Sequence, residues 1–289
     1  MKYKKNQTLV KYLGSFLGLT AICFLFPIIL TITNSFMTSG EITRNYILDS
    51  ENEDGQQQYI VLNLIPEEVT VKQYYTILMK TSQYLFMFWN SSILVVPIVL
   101  GQALVSIMAA YGFSRFKFKG LETIFYIYIA TMIMPYQVTL VPNYIMAVKL
   151  GLVGSYASII LPGIFNTFGV FLLRQTMQTI PEEYIEAALV DGATHFNICW
   201  RIVVPMVKPS LAALAILLTI DNWNMVEQPL IFLQDIVKQP LSTYLSQISK
   251  TDLGISFAAS TIYMLPLLLI FLYGESYLIE GIELSGIKG

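Results

Sequence analysis

Residues Pro181 to Pro205 read PEEYIEAALVDGATHFNICWRIVVP. Pro181 suits a first helical turn, where a missing N–H costs nothing, and Glu182 and Glu183 place negative charge at the positive end of the helix dipole. Gly192 accepts the left-handed conformation that closes a helix, and Thr194 can then cap a second helix that runs through Trp200 until Pro205 stops it. The spacing predicts a helix, a tight turn and another helix. Ala187, Ala188, Gly192 and Ala193 carry almost no side chain, so another protein can approach this backbone closely, while Glu186 and Asp191 stay charged beside them. The whole segment, Gln175 to Lys208, is too polar to sit in a bilayer and too patterned for a loose loop. A helix lying on lipid headgroups favours Lys and Arg on its polar face, whereas this first turn is acidic. The pattern is that of a rigid knob built to be gripped.

On either side the chain becomes apolar. Uncharged stretches run from Tyr12 to Gly40, Thr81 to Ser114, Thr123 to Val148, Leu150 to Leu173 and Leu253 to Gly274, each long enough for a span of roughly 20 residues. Pro209 to Leu233 makes a sixth, apolar except for Asp221 and Glu227. With 55% hydrophobic and 12% charged residues over 289 positions, the composition is that of an all-α polytopic membrane protein. The lysines before the first apolar run resemble those of a signal peptide, but the run is long and lacks a small-residue cleavage site, so it reads as a retained helix. The predicted organisation is a segment 1–11, a first transmembrane helix 12–40, an external loop 41–80, and a core 81–289 of five transmembrane helices carrying the knob at 175–208. The loop is rich in acids and amides around Asp49 to Gln58 and reads as part flexible. Thr70 to Lys80 reads as a short helix leading into the second span. In the third span Pro135 and Pro142 each remove a backbone donor, which gives either a kink or a wall of a wet path.

Orientation follows from the basic residues, which are retained in the cytoplasm. Lys2, Lys4, Lys5, Lys11, Arg115, Lys117, Lys119, Arg174, Arg201, Lys208 and Lys288 fall on the knob's side, against Arg44, Lys72, Lys80, Lys149, Lys238 and Lys250 opposite. Both termini are therefore expected in the cytoplasm of a multi-pass cell-membrane protein.

Several chemistries have no support. A net charge of −2 without a basic face gives nucleic acid no footprint. One histidine, His195, completes neither a metal set nor a nucleophile–base pair, and reads as a solvated turn residue. Cys23 lies within an apolar run and Cys199 in the knob segment, so they are not expected to pair. No GxxxxGK[ST] occurs, so the chain is not expected to bind ATP itself. The spans also lack a series of buried carboxylates that could relay protons. Asp221 and Glu227 are the acids to explain. Six positions apart on one helix they would point about 120° from each other. Asp221, Asn222, Trp223 and Asn224 form the candidate substrate patch, with amides and a carboxylate for hydroxyls and an indole for a pyranose face. The competing reading for these residues is polar packing between helices.

Glu186-Ala187-Ala188, then Asp191-Gly192-Ala193, then Ile202, Pro205 and Pro209, resemble the EAA loop of ABC importer permeases. Asn90-Ser91, the run Ala109-Ala110-Tyr111-Gly112-Phe113, Pro135 with Pro142, Trp223-Asn224 and the terminal Gly286-Ile287-Lys288-Gly289 resemble the carbohydrate branch, in particular its maltose-permease-like second subunit. The resemblance implies a type I importer permease fold and a coupling role for Glu186, Ala187, Ala188, Asp191, Gly192, Ala193 and Pro205. It implies as partners a second permease subunit, a cytoplasmic ABC ATPase dimer that binds ATP and Mg, an external sugar-binding protein and membrane lipid. The chain itself would then be no enzyme and hold no cofactor. Where the family usually follows Trp-Asn with an acidic residue and aromatics, this sequence has Met225, Val226, Glu227, Gln228 and Pro229. The loop alone does not choose a cargo, so a permease for another solute such as peptides, or a non-transporting membrane scaffold, stays open at this level.

Overall fold

The computed structural model describes residues 2–46, 62–247 and 253–285, with side chains described from residue 11 to 281 within those ranges. The stretch around Asp49 to Gln58 and the terminal Gly286 to Gly289 lie outside the described residues. Among the described residues all regular structure is helical. Four helices are long and apolar enough to cross a membrane: Lys11–Asn34, Ser82–Arg115, Ala157–Gln178 and Leu253–Gly281. Two further spans are bent pairs, Leu121–Ile133 with Tyr136–Lys149 at 97° and His195–Met206 with Lys208–Trp223 at 79°. Counted as one each, they bring the spans to six.

Two spans differ from what the sequence suggests: the third, expected to kink or line a path, and the stretch expected to run unbroken from Pro209 to Leu233. Met134 is extended and Pro135 precedes the next helix with ψ 139°, so the third span is broken outright rather than kinked. A proline disfavours the helical region for the residue before it and offers no N–H to continue the ladder. Pro142, by contrast, lies inside Tyr136–Lys149 without ending it. The span expected from Pro209 to Leu233 ends at Trp223, and a separate short helix, Glu227–Phe232, follows three residues later. The fourth span starts at Ala157 rather than Leu150, because Gly151 and Gly154 hold left-handed turns (φ 67° and 80°) that no helix contains. It is interrupted at Asn166, whose side chain caps the continuation by accepting from the Phe168 N–H at 3.0 Å.

The chain forms two compact units. One comprises Met1–Tyr84 with Gln247–Leu265, the other Leu85–Ser246 with Pro266–Gly289. In the first, the opening helix is Lys2–Asn34, ending six residues before the expected Gly40. None of its most apolar window is buried, so lipid or another chain must cover it. Beyond it Ser39–Tyr46 forms a short helix pinned to the incoming loop: buried Glu41 accepts from the Glu67 N–H at 3.0 Å, and Arg44 pairs with the Glu67 carboxylate at 2.6 Å. The helix expected in Thr70–Lys80 is present as Lys72–Tyr75 and a wider π turn through Lys80.

The larger unit is built around Ile107, Tyr111, Leu173, Met177, Val203 and Leu214. Helices approach closely at small residues: a Cβ on Gly169 would stand 2.3 Å from Ser106 Oγ, and one on Gly281 2.9 Å from the Pro209 carbonyl. Arginines tie the helix ends near the knob. Arg174, 5% exposed, donates to the Phe113 carbonyl at 3.1 Å and to Glu122 at 2.6 Å, and its guanidinium lies 3.8 Å over the Phe125 ring. Arg115 donates to the carbonyls of Met177 and Ile180, fixing the strand of chain that leads into the knob.

Candidate functional site

The knob has the expected construction. Its first helix spans Glu182–Val190, Gly192 closes it with φ 82°, and Thr194 caps the second by accepting from the Asn197 N–H at 3.3 Å. Lys117 donates to Glu182 at 2.6 Å, and this hydrogen bond holds the Glu182 carboxyl below its ordinary pKa. Glu186, Ala187, Asp191, Gly192 and Pro205 are exposed, and Ala188 and Ala193 half-buried. Only Ile185 of the first helix is buried, against the core of the larger unit. The outer face is also apolar at its tip, where Val190 is 88% exposed and Phe196 62%. That apolar tip was readable in the sequence but carries no weight until the fold shows which side of each helix faces out.

Two details differ from expectation. Pro205 does not stop the second helix. It occupies the first turn of Val204–Met206, just beyond a π turn at Cys199–Val203, where its missing N–H costs nothing, and the chain bends instead after Val207. His195 is exposed, as expected of a turn residue, yet its Nδ1 lies 2.9 Å from the Tyr111 hydroxyl and its ring meets Phe116 edge-on. It fastens the knob to the end of the Ser82–Arg115 helix.

A cavity of about 980 Å³ opens in the larger unit where the two broken spans face one another. Its wall includes the side-chain amides of Gln102, Asn143, Asn166, Asn222 and Asn224. The two acids singled out in the sequence, Asp221 and Glu227, are on the same wall. The helix-wheel separation of 120° does not apply, because the helix ends at Trp223 and the chain turns before Glu227. Glu227 also accepts from the Gln137 side chain at 3.3 Å. The broken third span contributes Thr131, Met134 and Tyr136, so its proline break shapes a cavity as well as a bend. Trp223 stands apart from this set. It is 5% exposed, absent from the cavity wall, and packs edge-to-face on Phe88 with ring centroids 5.5 Å apart. Trp223 stands roughly 200° round the helix from Asp221, nearly on the opposite face, which places the indole in the packing rather than the cavity.

Asn90 and Ser91, singled out only as a motif, prove to organise the loop at one end of the cavity helices. The Asn90 amide donates to the carbonyls of Val237 (2.6 Å) and Gln239 (3.0 Å) and accepts from the Tyr156 hydroxyl at 2.8 Å. Ser91 Oγ accepts from the Leu241 N–H at 2.9 Å, and Lys238 donates to the Gly154 carbonyl at 2.9 Å. Sequence alone gave no route to these pairings, which cross between 66 and 150 residues.

The family model described as binding-protein-dependent transport system inner membrane component matches residues 69–278. The chain belongs to that family. It is 30% identical, over the full length of both chains, to the arabinooligosaccharides transport system permease protein AraQ of Halalkalibacterium halodurans. It is 29% identical to the Bacillus subtilis protein of that name, over 95% of this chain and 94% of the other. In fold it matches a chain of a bacterial ABC transporter involved in the import of the acidic polysaccharide alginate, with a TM-score of 0.79 at 21% identity, covering 94% of this chain and 97% of that one. This permease family member thus has the all-α, type I importer fold and is a multi-pass membrane protein. The knob at Pro181 to Pro205 lies wholly within the matched residues.

Proposed function

We propose that this permease is one of two membrane subunits of an ATP-driven, binding-protein-dependent importer of oligosaccharides. The observation that carries the cargo is the cavity wall: side-chain amides and hydroxyls, interspersed with apolar surface, match the alternating donors, acceptors and C–H faces of a saccharide. The relatives named for arabinooligosaccharides support the same cargo. Basic residues on the knob's side support cytoplasmic termini and a knob reaching a cytoplasmic ATPase. In this reading the ATPase pair, not this chain, binds ATP and Mg. Glu186 and Asp191 supply charged contacts, Ala187, Ala188 and Ala193 the close-packing surface, Gly192 the turn, and Pro205 the entry to the bend at Val207. Movement of the gripped knob passes directly into His195–Met206 and Lys208–Trp223, and so to Asp221, Asn222 and Asn224 on the cavity wall. An external sugar-binding protein delivers the cargo and a second permease completes the path.

The test is to tag the chain, extract it from its native membrane in mild detergent and identify by mass spectrometry what accompanies it. An ATPase and a second, related permease are expected. Recovery of this chain alone, from membranes shown to retain other complexes, would overturn the proposal and favour a scaffold.

A further inference from the structure

The charge on the cavity wall is one-sided. Asp221 and Glu227 both line it, and no Lys, Arg or His among the described residues does. The remaining polar groups are neutral amides and hydroxyls. Gln102, 1% exposed and on the same wall, has an Nε2 buried without a hydrogen-bond partner, a donor held in place that the protein itself leaves unspent. An unmade buried hydrogen bond is costly, and a ligand oxygen reached by a small rotation of the amide would relieve it.

We propose that this cavity takes uncharged saccharides and rejects acidic ones such as uronate oligomers and sugar phosphates, with Asp221 and Glu227 as the discriminating residues and Gln102 as a hydrogen-bond donor to the sugar. The inference rests on the transport reading above and narrows its substrate class. A neutral sugar hydroxyl can donate to either carboxylate, and its oxygens can accept from Gln102 and the asparagine amides. A sugar carboxylate has nothing cationic to meet on this wall. It would give up hydration for repulsion from two fixed acids, in surroundings where charges interact more strongly than in water. Discrimination of this kind is repulsive and needs no exact fit to one sugar, so it fixes the class without fixing the member.

The experiment uses the whole importer, purified with its partner subunits and binding protein into proteoliposomes. Uptake is measured for tri- to pentasaccharides of neutral arabinose, xylose and glucose and for alginate and polygalacturonate oligomers of the same lengths. A neutral member should be taken up at least ~10-fold faster than any acidic one, a preference typical of one well-placed charge. Uptake of an acidic oligomer at a comparable rate would overturn the inference and leave the oligosaccharide-importer reading standing. Uptake of no saccharide, by a complex that hydrolyses ATP, would overturn both. In the Asp221→Asn/Glu227→Gln variant, shown by co-purification to assemble, the acidic-to-neutral ratio for binding-protein-loaded oligomers should rise at least ~3-fold, and an unchanged ratio would remove these residues from the role. Gln102→Leu should raise the KM for the neutral sugar without changing that ratio, whereas an unchanged KM would remove Gln102.

Discussion

Asn90→Ala should release the loop that runs from Leu233 to Leu241. The substitution deletes three hydrogen bonds at once, two donated to the Val237 and Gln239 carbonyls and one accepted from Tyr156. Gln239 is 6% exposed, so its carbonyl would be stranded away from water, at a cost of about 1–3 kcal/mol. Val237 is 68% exposed and its carbonyl can rehydrate, which reduces that loss to about 0.5–1 kcal/mol. The half-buried Tyr156 hydroxyl falls between these limits. Together the anchoring lost is roughly 2–6 kcal/mol. Ser91→Ala removes the acceptor for the Leu241 N–H and a donor to the Met87 carbonyl, which the helix's own ladder still serves, and should cost about 1 kcal/mol. Hydrogen–deuterium exchange of the purified protein reads the difference directly. Amides from Leu233 to Thr243 should exchange at least about 30-fold faster in Asn90→Ala, while the knob is unaffected and Ser91→Ala gives a smaller acceleration. Unchanged exchange in Asn90→Ala would rule out this clamp, because among the described residues no other side chain makes these three hydrogen bonds.

Arg174→Ala should lower the thermal midpoint more than Glu122→Gln does. Arg174 is buried and serves a carbonyl, a carboxylate and an aromatic face, whereas the Glu122 side chain is 59% exposed and its charge is screened. Equal shifts would mean that the ion pair alone matters. Gly169→Ala should destabilise by about 1–3 kcal/mol through overpacking against Ser106, and Ser106→Gly in the same chain should restore most of the loss. A denaturation series on the wild type, the two single variants and the double variant checks this, and additivity of the two substitutions would contradict the contact.

The knob and the spans were legible in sequence for different reasons. The knob's signals are local: the acidic first turn, Gly192 and the Thr194 cap act within a few residues and appear as read, while Pro181 stands just before the helix rather than in its first turn, with ψ 141°. Uncharged length similarly located the spans, but not their breaks. Pro135 and Pro142 look alike in sequence, and only the first breaks its span, with Met134 extended immediately before it. The end of the helix at Trp223 had no proline or glycine to announce it. For that reason Asp221 and Glu227 looked separate on a helical wheel and prove to share a wall, while Trp223, read with its neighbours, turns out to be packing. The Asn90 clamp rests on pairings of high sequence separation, which no window along the chain contains.

The knob's role rests on its coupling to transport, which the ratio of sugar uptake to ATP hydrolysis in proteoliposomes of the complete importer reports. Glu186→Lys reverses an exposed charge on the gripped surface. Gly192→Pro cannot adopt φ 82° and loses the N–H that donates to the Leu189 carbonyl at 3.0 Å. Both variants should assemble in the membrane, hydrolyse ATP and import little sugar. Full uptake per ATP in both would contradict the account.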